Sequence, residues 1–203
     1  MGTKFANLHV RTDYPAATME MLEQRFVQKT DDKAYYESEV DIIDLYVSRG
    51  KAALDTYRLK SKVYVGEFNG WVSLLHSEFS WGSVEEYALS LSQDLHDPVL
   101  AVSYFDDDIL SIGVYLKGTL VNQHIKSYGD YDIDDKELDI WSFIQTFDIQ
   151  VTPEEVRSAL FSQDIQKQVE ELEELLGLPL WIDAEWIDES DLEHYEEIVN
   201  RLR

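Results

Sequence analysis

Apolar residues recur with two different periods along this chain, and each switch between them marks an element. In 62–75 two β-rich runs, one around Val63-Tyr64-Val65 and one from Trp71 to Leu75, flank Asn69-Gly70. That pair suits a type I′ turn, whose central residues both need φ > 0, so a hairpin is predicted here. From Ser83 the period turns helical. Val84, Tyr87, Ala88, Leu91 and Leu95 share one face, and Ser83 with Glu86 makes the S-x-x-E pattern of a capping box. Three strand-like runs follow at 99–105, 109–116 and 119–125, divided by Asp106-Asp107-Asp108 and by Lys117-Gly118. Together they predict a β-α-β-β-β unit that ends in an antiparallel meander.

The first sixty residues read as a degenerate copy of that unit. A strand is predicted over 5–11. Pro15 suits the first turn of a helix whose apolar face is Met19, Leu22 and Phe26, and a weak strand lies near 33–37. Asp41-Ile42-Ile43-Asp44-Leu45-Tyr46-Val47 parallels Asp108-Ile109-Leu110-Ser111-Ile112-Gly113-Val114, and Arg49-Gly50-Lys51 stands where Lys117-Gly118-Thr119 stands. The expected fold is therefore α+β. Two β-α-β-β-β units, 1–60 and 61–128 of a domain spanning 1–135, would pair into one extended antiparallel sheet with helices on one face.

Beyond Tyr128 a polar link, Gly129-Asp130-Tyr131-Asp132-Ile133-Asp134-Asp135, leads into a mostly helical part. Leu138, Trp141, Ile144 and Phe147 have helical spacing. Thr152-Pro153-Glu154-Glu155 is a second capping box, opening a helix that breaks near Ser162 and ends at the Gly177 cap before Pro179. Ser190-Asp191-Leu192-Glu193 predicts a last helix with Leu192, Tyr195, Ile198, Val199 and Leu202 as its stripe. These stripes need a partner, so 136–203 is expected to pack on the sheet as an acidic helical subdomain.

Charge then narrows the function classes. The chain has 203 residues and a net charge of −24, with a pI of about 4.3. Residues 136–203 carry a net −13 and residues 1–135 a net −11, so the C-terminal part is about twice as acidic per residue. Such a field repels nucleic-acid phosphates and anionic lipid head groups, so neither nucleic acid nor membrane is an expected partner, and a basic protein is. The chain has no cysteine, which excludes a disulfide scaffold, a thiolate metal site and a cysteine nucleophile. No window approaches a membrane span and no signal-peptide-like stretch opens the chain, so the cytoplasm is the expected compartment.

No motif points to catalysis. Asp130-x-Asp132-x-Asp134 resembles the start of a calcium loop, but Asp135 stands where the sixth-position glycine belongs and Trp141 where the bidentate glutamate belongs. Asp106-Asp107-Asp108 fits turn chemistry better than a metal site. His9, His76, His96, His124 and His194 form no helical metal pair, and no phosphate loop or G-x-S-x-G elbow is present. Arg58-Leu59-Lys60-Ser61-Lys62 is the one basic cluster, read as an edge-protecting run in preference to a phosphate or acidic-partner site, or as an internal partner for the acidic C-terminal part. No catalytic residue, metal ligand or cofactor is therefore assigned. The candidate partner-binding residues are the aromatics and acids of the loops and turns: Phe79, Trp81, Asp106, Asp107, Asp108, Tyr128, Asp130, Tyr131 and Asp132.

The run from Asn69-Gly70-Trp71-Val72 through Val99-Leu100-Ala101-Val102-Ser103-Tyr104-Phe105-Asp106-Asp107-Asp108 to Tyr128, with the opening Met1-Gly2-Thr3-Lys4-Phe5-Ala6-Asn7-Leu8, resembles a family of uncharacterised proteins of Gram-positive bacteria. The resemblance covers about the first 135 residues and implies a fold, not a chemistry. The expected function is a non-catalytic acidic protein-binding module, with an immunity-like inhibitor of a basic toxin as its sharpest form. The alternatives are a small-ligand binder or enzyme using carboxylates and histidines gathered by the fold, and a structural or assembly subunit.

Overall fold

A computed structural model describes residues 2–27, 34–36, 57–59, 62–129 and 131–198, with 34–36 and 57–59 described as backbone. The elements, in chain order, are β1 (Lys4–Arg11), α1 (Pro15–Val27), β2 (Ala34–Tyr36), β3 (Tyr57–Leu59), β4 (Val63–Phe68), β5 (Trp71–His76) and α2 (Ser83–Leu95). β6 (Val99–Phe105), β7 (Ile109–Leu116), β8 (Thr119–Ser127), α3 (Ile140–Phe147), α4 (Pro153–Leu160), α5 (Ile165–Leu176) and β9 (Tyr195–Glu197) follow. The protein is α+β, with a seven-stranded antiparallel sheet in the order β8-β7-β6-β1-β5-β4-β9.

Four of these strands carry the plan. β1, β4, β5 and β6 lie side by side in the order β6-β1-β5-β4. With α1 following β1 and α2 joining β5 to β6, this is the split β-α-β, ferredoxin-like, order. β7 and β8 extend it on one side as a meander, and β9 extends it on the other. The predicted hairpin forms with Asn69 at φ 48° and Gly70 at φ 80°, and the Lys117-Gly118 turn at φ 51° and 73°. β2 pairs in parallel with β3 as a separate two-stranded ribbon. The run 41–47 and the turn 49–51, on which the internal repeat rests, lie outside the described residues.

Alternation along β1 divides the core in two. Ala6, Leu8 and Val10 face α1 and α2, where they meet Leu22, Val84, Ala88 and Leu91. Phe5 faces the other way, into a layer built from α3, α4, α5 and the segment after them. There Phe5 stacks on Tyr104 at 5.3 Å, and Trp181 packs edge-on to both rings at 5.0 and 4.9 Å. Trp71 meets Phe147 at 4.8 Å. The predicted sheet helices thus share one face, and the C-terminal helices cover the other. Truncating Trp71, 1% exposed, to alanine removes contacts of the kind that stabilise by about 3–5 kcal/mol.

Two local expectations are corrected. The helix at 83 starts one residue earlier in its capping logic: Gly82 is the cap at φ 93°, and its N–H donates to Glu85 Oε2 at 2.8 Å, so the box is not Ser83 with Glu86. The α3 stripe is Phe143 and Phe147, both fully buried, while Trp141 is 64% exposed. The break in the 153–176 helix, the Thr152–Glu155 box and the left-handed Gly177 cap form as predicted.

The largest correction is at the end of the described chain. Residues 191–193 make a single 3-10 turn, and 195–197 form a strand, not a helix. The reason is the edge of β4. Tyr64, Val65 and Gly66 offer ladder groups to Glu197, Glu196 and Tyr195, and that pairing buries Tyr195 and Ile198 while Glu196 and Glu197 face solvent. Gly66 makes the approach feasible, because a Cβ there would sit 2.6 Å from the His194 carbonyl oxygen and 3.0 Å from the Tyr195 ring. Gly66→Ala is expected to destabilise the protein by about 1–3 kcal/mol in urea unfolding, with lost amide protection in 195–198. Unchanged stability would show that β9 does not dock this tightly.

Candidate functional site: an acidic, aromatic end of the sheet

The β6–β7 turn gathers most of the predicted partner-binding residues. Asp106 and Asp107 take φ 59° and 64°, a left-handed conformation that aspartate tolerates better than most residues. Asp106 Oδ1 accepts from Gly2 N at 2.9 Å, and Asp107 Oδ1 accepts from Thr3 N at 3.0 Å. Asp106 N donates to Thr3 O at 2.8 Å. Asp108 Oδ2 accepts from the Tyr131 hydroxyl at 3.2 Å, and its carbonyl accepts from Tyr128 N at 2.9 Å. The turn therefore ties Gly2 and Thr3 to Tyr128 and Tyr131. Each carboxylate keeps one oxygen with no hydrogen-bond partner among the described residues.

An aromatic ridge runs beside these acids. Trp81 lies 5.5 Å from Phe105, and Tyr131 meets the same ring edge-on at 6.1 Å. Lys4 Nζ sits 4.1 Å over Phe105 and 4.0 Å from Asp106. Trp81 is 38% and Tyr128 48% exposed. Phe79 is a correction: it is 6% exposed, its ring 5.3 Å from His76 and 5.0 Å from Tyr87. The chain folds back there, Phe79 N donating to His76 O, and the ring closes the core between sheet and α2. Asp132 is exposed at φ 53° in the link, and Asp130 lies outside the described residues. Of the basic run before the hairpin, Lys62 pairs with Glu185 of the C-terminal part at 2.6 Å.

Among the described residues no three His, Asp or Glu side chains are arranged to hold a metal ion.

Sequence reasoning missed a buried polar network on β1. His9 Nδ1 lies 2.8 Å from Ser73 Oγ and Nε2 lies 2.8 Å from Asn7 Oδ1. Asn7 Nδ2 donates to the carbonyls of Leu180 and Ile182, each at 2.8 Å. That fixes the amide: Oδ1 accepts from His9 Nε2–H, so Nδ1 accepts from the Ser73 hydroxyl. The pair has the chemistry of a serine–histidine couple, but both side chains are 0% exposed, so no substrate reaches them. The signal was the alternation of Asn7, His9 and Arg11 with Ala6, Leu8 and Val10.

No protein-family model, no curated protein and no solved structure matches this chain.

Burial lowers the His9 pKa from 6.5 to about 3. Between those values the unfolded chain binds a proton that the folded one excludes, so stability falls as pH drops through that window. From pH 7 to pH 5 the loss from His9 is about 2 kcal/mol. The gap in unfolding free energy between the native chain and His9→Gln is expected to narrow by that amount, and the His9 ring nitrogens are expected to keep a neutral NMR signature at pH 5. A pH-independent gap, or a charged ring at pH 5, would refute the assignment.

Proposed function

We propose that this is a non-catalytic binding protein that recognises a basic protein through the Asp106–Asp108 turn and the Trp81–Phe105–Tyr131 ridge. An immunity-like inhibitor of a basic toxin is the form of that activity its acidity fits best. The observation that supports the reading is the anchoring of three adjacent carboxylates by Gly2, Thr3 and Tyr131 beside a part-exposed tryptophan. Groups already held in place lose little freedom on binding. An aromatic anchor with charged neighbours is the composition of an interface hot spot, and the net charge of −24 draws a cationic partner in from solution.

The test uses the full chain as bait against lysate of its source organism, beside two variants. One replaces Asp106, Asp107 and Asp108 together by asparagine, which tolerates the same turn and removes only charge. The other is Trp81→Ala. A single high-pI protein is expected to be captured by the native chain and lost from both variants. Its association rate is expected to fall about tenfold or more between 50 mM and 500 mM salt. Equal capture by all three baits, or a rate indifferent to salt, would defeat the proposal.

A further inference from the structure

A second surface has the opposite electrostatic character. Between β8, the strip 135–140 and the α4–α5 elbow lies a cleft of about 710 Å³, within the usual range for small-ligand sites. Lys126, Lys136 and Arg157 line it. They are three of the nine lysines and arginines whose side chains are described, in a chain carrying 41 acids. Such concentration of positive charge is not what a uniformly acidic surface would produce.

The three cations are not equally engaged. Lys126 is neutralised by Asp135, which also accepts from Ser127 N. Lys136 Nζ donates to the uncharged Gln123 Oε1 at 2.9 Å. Among the described residues Arg157 pairs with Glu154, 3.8 Å away and 79% exposed, a loose pair that solvent screens. Glu137 also lines the cleft. Two loosely held cations against one remaining carboxylate leave room for one negative charge, not several.

The rest of the lining is mixed, with an apolar side and a polar floor. Leu138, Ile140 and Leu160 form part of the wall, and Phe161 stands at the elbow 81% exposed. The floor carries His124 and Gln168, 7% and 1% exposed. Gln168 Nε2 donates to Ser162 O at 2.5 Å, so its Oε1 faces His124 Nε2 at 3.2 Å and must accept from it. His124 is thereby fixed as the Nε2–H tautomer. Its Nδ1 is left as an acceptor with no hydrogen-bond partner among the described residues.

We propose that this cleft binds a small organic monocarboxylate: an apolar body against Leu160 and Phe161, the carboxylate on Lys136 and Arg157, and a hydroxyl or N–H donating to His124 Nδ1. The site is independent of the acidic turn, and neither proposal depends on the other.

The probes are 4-hydroxyphenylacetate, its cationic analogue tyramine, and inorganic phosphate, each titrated into the full chain and followed by amide and histidine-ring NMR. Saturable shifts confined to His124, Lys136, Leu160, Phe161 and Gln168 are expected with the carboxylate alone. The doubly substituted Lys136→Gln, Arg157→Gln protein is expected to bind it at least about tenfold more weakly, the loss of one charge-assisted hydrogen bond. Both residues are exposed, so the fold survives the change, and an unaltered amide spectrum verifies this. Absence of saturation up to 10-fold molar excess at millimolar protein, equal binding of tyramine, or phosphate binding as tightly as the carboxylate would each overturn the proposal. So would response only to a longer acidic peptide.

Discussion

The seven-stranded sheet and its two helical layers are arranged about β1, the strand that both layers share. It lies between β5 and β6 in the sheet, and its two faces are buried against different neighbours. A strand enclosed in this way has to supply two cores at once. It does so with Ala6, Leu8 and Val10 on one side and with Phe5 and a polar series, Asn7, His9 and Arg11, on the other. Buried polar groups are tolerated only when paired, so the polar series dictates what may lie over it. Asn7 takes the Leu180 and Ile182 carbonyls, His9 takes Ser73, and Arg11 takes the Phe147 and Asn69 carbonyls. The C-terminal layer is thus fixed by specific hydrogen bonds as well as by the Phe5–Tyr104–Trp181 aromatic contact.

That layer builds the basic cleft, because the α4–α5 elbow reaches β8 only while α5 lies on the sheet. Gln168 on α5 and His124 on β8 form the joint. The acidic turn lies on the same molecule, where Tyr128 both contacts Asp108 and lines the cleft. Both surfaces carry charges of each sign: Lys4 stands beside the acidic turn, and Asp135 and Glu137 stand among the cations of the cleft.

Local chemistry was legible in the sequence wherever one residue type has few alternatives. Asn69-Gly70, Lys117-Gly118, Thr152 with Glu155, and Gly177 each formed the turn or cap they predicted, because φ > 0 or a cap oxygen suits few side chains. Long-range pairing was not legible. The Ser190-Asp191-Leu192-Glu193 signal and the spacing of Leu192, Tyr195 and Ile198 favour a helix locally, and the open edge of β4 overrode them. Trp141 has helical spacing with Phe147, yet Phe143 lies four residues before Phe147 and took the buried face. Of the candidate site, Trp81, Tyr131 and the three turn aspartates converge as a patch of acids and aromatics. Phe79 did not join them, since its loop turns inward. The cleft was beyond reach, because Lys136, Arg157 and His124 are distant in the chain and lack any shared motif.

Asn7 fastens the C-terminal layer to the sheet through the Leu180 and Ile182 carbonyls. Native-state hydrogen exchange on the full chain and on Asn7→Leu tests this directly. The variant leaves the Leu180 and Ile182 carbonyls without their donor, and amides in 178–198 are expected to exchange faster while those of β6 and β7 keep their protection. Unchanged protection across 178–198 would contradict the account.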